Sequence, residues 1–169
     1  MRLVAQRAVG FGMRVLYTKR TRLSAEQEAA LNVSYRSLPE LLAESDYVSL
    51  HATATAETES MFNHQTFAMM KPGSVFVNTS RGRLVDETAL LEALTRGHLR
   101  GAGLDNHRIE PRPADDPLNR LSNVVLTPHN AGGSRLGLLR EITMLLANCS
   151  AALQGREIQH AILPFTQGR

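Results

Sequence analysis

The chain has 169 residues, 43% hydrophobic and 21% charged, the balance of a folded globular protein and not of a disordered or fibrous one. Lys and Arg number 19 against 16 Asp and Glu; a net charge of +3 and 5% aromatics, with no tryptophan, are poor material for a nucleic-acid surface. The single cysteine, Cys149, excludes an internal disulfide framework and a cysteine-cluster zinc site; no uninterrupted apolar run approaches the ~18 residues of a membrane span, and residues 1–10 carry no apolar signal core, so a cytoplasmic protein without a membrane partner is expected.

In chain order, an amphipathic segment at Leu3 to Ala8 precedes a β-prone Val15-Leu16-Tyr17. Ser24 is placed to cap a helix running to Leu31. Val33-Ser34-Tyr35 reads as a weak strand, Leu38 to Glu44 as a short helix, and Tyr47 to Leu50 as a buried strand. Asn63 to Met69 reads as helix and stops before Pro72-Gly73; Ser74 to Val77 follows as strand. Asp86 to Thr95 is the clearest helix, ended by Gly97. Gly101 to Leu104 and Val124 to Thr127 are further strands, separated by a Pro-rich loop at 110–117, and Leu136 to Leu153 is a long closing helix.

Short strands alternating with helices predict βαβ units and a parallel sheet. Ligands of such sheets gather at the carboxyl ends of the strands. The polar residues that follow each apolar run therefore come first: Thr18-Lys19-Arg20, His51, Asn78-Thr79-Ser80-Arg81, Asp105 and His129. His51, His64, His98, His107 and His160 show no metal-ligand spacing, so no metal is expected.

Three of these segments carry a family pattern: Val77 to Gly82; Gly101 to Asp105 followed by Glu110-Pro111; and Thr127-Pro128-His129 followed by Ala131-Gly132-Gly133. With Leu42 to Thr58 and Ala8 to Met13, they make the chain resemble the D-isomer-specific 2-hydroxyacid dehydrogenases from about Arg2 to Pro164. The resemblance implies an α/β fold, a Rossmann-like doubly wound parallel sheet, with residues 1–164 as an incomplete dinucleotide-binding domain and 165–169 as a tail. It implies that Arg81 holds the substrate carboxylate and keto oxygen through its planar charged fork, that His129 donates the proton to the carbonyl, and that Glu110 orients His129 and raises its pKa. It implies that Asp105, Thr79, Ser80, His51 and Gly132 line the cofactor. The implied partner is a small 2-keto or 2-hydroxy carboxylate.

In this fold an acid after the second strand binds the ribose of NAD, whereas a basic residue accommodates the 2′-phosphate of NADP. Thr18, Lys19 and Arg20 hold that place without an acid, so NADP(H) is favoured over NAD(H), as in the glyoxylate and hydroxypyruvate reductases that the segment resembles; the alternative is a solvated basic turn.

Several features depart from the family. The Gly-x-Gly-x-x-Gly turn, the first strand before it and the preceding substrate domain are not in the sequence, which starts inside the first helix. In the strand order 3-2-1-4-5-6 that strand is central. Its loss predicts either a poorly stable chain, or closure of Val15–Tyr17 onto Tyr47–Leu50 with distortion. Isolated dehydrogenase activity is expected to be absent or very weak. Asn106-His107 replace a usual apolar pair, Ala52-Thr53-Ala54 lack a usual proline, and Asn130 replaces Ile or Val. The competing readings are a non-catalytic nucleotide-binding or regulatory module and a decayed gene fragment. A homodimer through Leu84–Thr95 and the closing helix stands beside ordinary core packing of the same residues.

Overall fold

The computed structural model describes residues 2–158; the expected tail at 165–169 and His160 lie outside them. The chain forms two compact units, residues 1–129 and 130–169. The first alternates helix and strand: α1 (Arg2–Gly10), β1 (Val15–Tyr17), α2 (Ala25–Leu31), β2 (Val33–Tyr35), α3 (Leu38–Glu44), β3 (Tyr47–Leu50), α4 (His64–Met69), β4 (Val75–Asn78), α5 (Glu87–Thr95), β5 (Gly101–Leu104) and β6 (Val124–Leu126). The second contains α6 (Arg135–Leu153). Short 3-10 turns at Ala56–Thr58, Gly82–Leu84 and Pro117–Arg120 were not anticipated from the sequence.

Local chemistry sets the element ends. Ser24 accepts from the Gln27 backbone N–H and Gln27 returns a bond to the Ser24 N–H, a complete capping box. Asn63 and Asp86 cap α4 and α5 in the same sense, each accepting two backbone N–H groups. The fourth strand runs one residue later than expected, because the Ser74 N–H turns back to the Lys71 carbonyl and the ladder starts at Val75.

Every strand pair is parallel. The order β3-β4-β5-β6 makes a four-stranded sheet, and β1 pairs with β2 in a separate two-stranded one. The anticipated closure of β1 onto β3 is therefore corrected: among the described residues these strands do not hydrogen-bond to each other. Each is held by its other edge, β1 by β2 and β3 by β4. Side chains tie the two-stranded sheet to α3: Glu44 at the end of that helix accepts from Arg14 at 3.0 Å and from Arg36 at 2.9 Å.

The core lies on the four-stranded sheet. Leu42, Val48, Leu50, Leu84, Leu90, Leu99, Leu104 and Leu118 are buried around a three-ring cluster in which Phe76 on β4 meets Phe62 at 4.7 Å and Phe67 edge-on at 5.3 Å. β5 reads Gly-Ala-Gly-Leu, a weak strand by propensity, and exists because it is sandwiched between β4 and β6. This rigid frame presents the carboxyl ends of four parallel strands on one edge.

In the second unit, residues 136–153 of α6 have a mean hydropathy of 1.3, so by length and composition this helix could cross a membrane. The expectation of no span rested on the run being interrupted, and Arg140 and Glu141 are the interruption. One such helix is weak grounds for a membrane.

Around β1, Glu28 accepts from the Tyr17 hydroxyl at 2.7 Å and from Arg22 at 2.7 and 3.0 Å. Arg22, and then Tyr17, hold the Glu28 carboxyl down to about 2, against an ordinary 4.5. A depressed folded-state pKa contributes stability above the ordinary value and loses it as pH falls through the folded one. The melting temperature is therefore expected to drop between pH 4.5 and about 2, and E28Q to drop less across that window. Parallel wild-type and E28Q melting curves over the window would show that the contact is not formed in solution.

Candidate active site

Arg81, Glu110 and His129 follow three neighbouring strands. Arg81 lies after β4, Glu110 on the loop after β5 and His129 after β6. Adjacent strands are ~4.8 Å apart, so the ends of β4 and β6 stand roughly 10 Å from each other with the β5 loop between them.

The strongest link is between Glu110 and His129. The His129 Nδ1 stands 2.8 Å from Glu110 Oε2. The second carboxylate oxygen accepts the His107 backbone N–H at 2.9 Å. That N–H, and then His129, hold the Glu110 carboxyl below the usual carboxylate range, so it is ionised and acceptor-only. The His129 Nδ1 accordingly carries the proton of the pair, and Nε2 is the ring atom turned to chemistry. The His129 backbone is itself fixed. It sits in the left-handed region at φ 52°, and its N–H reaches the Asp105 carbonyl at 2.9 Å and the Thr127 carbonyl at 3.0 Å.

Arg81 is exposed, its Nη1 donating to the adjacent Ser80 carbonyl at 2.7 Å. Among the described residues no carboxylate pairs with it, which leaves an unneutralised guanidinium on the edge where an anion would sit. Asn78, fully buried, shapes this loop: its amide donates to the Arg81 carbonyl at 3.0 Å and accepts the Ser80 N–H at 2.9 Å. Ser80 Oγ bonds the Leu50 carbonyl at 2.6 Å, fastening the β4 loop to the end of β3. Thr79 beside it is exposed.

The other expected positions divide. Asp105 is buried, with Thr127 Oγ1 donating at 2.6 Å and Asn106 Nδ2 at 3.2 Å. His51 ends β3 with Nε2 2.9 Å from Ser49 Oγ, and desolvation pushes its pKa below the ordinary value, toward the neutral ring. Thr18, Lys19 and Arg20 follow β1; Arg20 touches Glu57 at 2.9 Å with both side chains largely in solvent, a weak pair. Arg22, two residues after Arg20 in the same run of basic residues, is occupied by Glu28 and lies over the Tyr35 ring. Gly132 belongs to the second unit and is exposed there. That unit also carries a groove of about 510 Å³ lined by Arg140, Thr143, Met144 and Asn148, which contains none of the candidate residues.

Residues 2–131 match the model of the D-isomer specific 2-hydroxyacid dehydrogenase, NAD binding domain. The chain belongs to this family. It is 47% identical over 152 residues to a glyoxylate reductase of Korarchaeum cryptofilum, covering 90% of this chain and 46% of that protein. It is 41% identical over 162 residues to a glyoxylate/hydroxypyruvate reductase B of Pectobacterium carotovorum, covering 95% of this chain and 50% of that one. In structure it is similar to the TT0316 protein of Thermus thermophilus, with a TM-score of 0.87 and 44% identity over 95% of this chain and 49% of the other. It is also similar to a D-lactate dehydrogenase of Lactobacillus jensenii solved with NAD+, with a TM-score of 0.84 and 30% identity over 94% of this chain and 51% of that one. The chain spans about half the length of the curated relatives it matches.

The chain thus has the Rossmann-like parallel α/β architecture of this oxidoreductase family's NAD-binding domains. The donor set suits such a cofactor: a buried carboxylate at Asp105 fixed by two donors, polar strand ends at His51 and Ser80, and a basic turn without acids at 18–20. Among the described residues no cluster of three His, Cys, Asp or Glu is arranged for a metal.

Sequence reading gave no role to Thr127 and Arg112. Thr127 is a junction: its hydroxyl holds Asp105, and its carbonyl accepts from both His107 Nε2 and the His129 N–H. Its position between a strand and His129 was the available signal. Arg112 gave none, since the partner that ties its loop to the rest of the fold, Glu87, is 25 residues away on α5.

Proposed function

We propose that this chain is the cofactor-binding portion of an oxidoreductase that reduces small 2-keto acids such as glyoxylate or hydroxypyruvate. The observation that carries the reading is the His129–Glu110 pair at 2.8 Å on the strand edge that also bears the unpaired Arg81. A bound nicotinamide would supply the hydride. The chain's own residues do the rest. Arg81 holds the carboxylate by two parallel charged bonds and polarises the keto oxygen. His129, protonated, delivers a proton from Nε2 to that oxygen, while Glu110 keeps the opposite ring nitrogen aligned and offsets the positive charge.

Asp105, His51, Thr79 and Ser80 would contact the cofactor. Thr18, Lys19 and Arg20 would accept the 2′-phosphate of NADP(H), favoured because the Arg20–Glu57 pair is exposed enough to exchange for a phosphate. We place the protein in the cytoplasm, with pairing between cofactor domains as its assembly. The 169 residues on their own are expected to turn over very weakly or not at all.

The test is glyoxylate- and hydroxypyruvate-dependent oxidation of NADPH and NADH by the polypeptide that carries this sequence in its native cells, with its intact mass measured alongside. Turnover with NADPH preferred supports the reading. Nucleotide binding without turnover would leave a regulatory module, and neither would leave a remnant. In an active protein, R20E is expected to raise KM for NADPH by roughly 10-fold, the order of one charge-assisted phosphate contact, with little change for NADH. An equal effect on both nucleotides would place the phosphate elsewhere.

A further inference from the structure

We propose that His107 and Arg112 are positioning residues for the Glu110–His129 pair, an inference that rests on the acid–base role assigned above. The loop after β5 bears Glu110 and would be free to swing if it were held only by its ends. Arg112 and His107 lock it from within. The Arg112 side chain is only 8% exposed, an uncommon state for a guanidinium. Its charge is met by Glu87 at 2.6 Å in the first turn of α5, and by Asp116 at 2.6 Å on the far side of the loop. Its Nε at 3.0 Å, and the same Nη2 that meets Glu87, at 2.9 Å, converge on His107 Nδ1.

A guanidinium can only donate. His107 Nδ1 must therefore be a bare acceptor, which puts the ring proton on Nε2, and Nε2 points at the Thr127 carbonyl 2.8 Å away. The ring of His107 is thus set in one neutral tautomer between a cation and a carbonyl. It bridges α5, through Arg112, to the end of β6. The same residue's backbone N–H holds Glu110 Oε1, and the same Thr127 carbonyl receives the His129 N–H. Fixing His107 at both ring nitrogens therefore fixes the two anchors from which Glu110 and His129 face each other. An apolar ring in this place would fill the volume and keep the main-chain anchors, but would lose both ring contacts that fix them.

The tautomers can be read by nitrogen NMR of the imidazoles in the full chain, near neutral pH. Wild type is expected to show His107 as Nε2–H and the neutral form of His129 as Nδ1–H. In H107F, which keeps the bulk, and in R112M, the Nδ1–H to Nε2–H ratio of His129 is expected to fall by about 10-fold, the loss of one well-aligned charge-assisted bond. H107Q, whose amide can still donate to the Thr127 carbonyl and accept from Arg112, is expected to stay within about twofold of wild type. If H107F does not fold, R112M against H107Q decides. A wild-type tautomer ratio in both H107F and R112M would overturn the proposal and leave the Glu110–His129 pair standing. A wild-type His129 without the Nδ1 proton would overturn the pair, and with it the acid–base assignment.

Discussion

Replacing Gly82 by alanine is expected to lower the melting temperature by roughly 6–12 °C, the shift that ~3 kcal/mol produces in a chain of this size. Gly82 follows Arg81 and opens the 3-10 turn Gly82–Leu84. Its backbone is not in the left-handed region, so the requirement is space and not conformational freedom. A Cβ there would fall inside van der Waals contact of the His107 carbonyl group and the Arg108 nitrogen. Those atoms are backbone and cannot rotate away. The two loops are further stitched by Glu59, which accepts from Arg83 at 2.7 Å and Arg108 at 3.0 Å. The inserted methyl must push the β5 loop off the β4 loop, and that loop carries His107 and Glu110. The loss is placed at the upper end of overpacking costs because both colliding partners are main chain. In the same variant the His129 imidazole is expected to lose its Glu110 contact, visible in its ring signals. A melting temperature equal to wild type would mean that the loops do not touch at Gly82.

Where the sequence was informative, it was so for local reasons. Ser24, Asn63 and Asp86 are cap residues with side chains that bond backbone two and three positions ahead, so three helix starts were legible from neighbours alone. The strands at 33–35, 47–50 and 101–104 carry their limits in flanking polar or glycine residues, and the structure keeps those limits. The placement of Arg81, Glu110 and His129 on one edge follows from all strands being parallel.

What could not be read depends on contacts between distant segments. Arg22 sits in a basic run that looks uniform, yet Glu28 and the Tyr35 ring withdraw it, leaving Lys19 and Arg20 as the cations at the end of β1. Asn106 and His107 looked like packing departures. The structure buries both: it gives His107 a partner on each ring nitrogen and turns the Asn106 amide onto Asp105. Buried polar groups that find partners become structure: the His107 ring reaches Thr127, 20 residues away, and Arg112 reaches Glu87, 25 residues away.

The largest effect on chemistry is expected from His129→Gln in the active polypeptide: turnover slowed by roughly 100- to 10,000-fold, about what a positioned general acid contributes. Glutamine can still meet Glu110 with its amide, so the loop stays in place, but it has no proton to pass from the Nε2 position. An interaction used only in the transition state lowers kcat and kcat/KM together and leaves KM near wild type. Glu110→Gln separates from this. Its one amide oxygen can accept from the His107 N–H or from His129 Nδ1 but not from both, and it brings no negative charge, so imidazolium formation loses its counter-charge. The fall is expected to be smaller than for His129→Gln. Arg81→Gln provides the control on the substrate side, expected to raise KM for the keto acid as well as to lower kcat, because the guanidinium acts on the bound carboxylate before any proton moves. Steady-state rates with glyoxylate across pH, in the three variants, separate proton donor, ring partner and anion anchor by which parameter each one moves. If H129Q turned over as fast as wild type while Arg81→Gln abolished activity, the proton would be coming from water or another side chain, and the 2.8 Å pair would be a structural contact at the edge of the site.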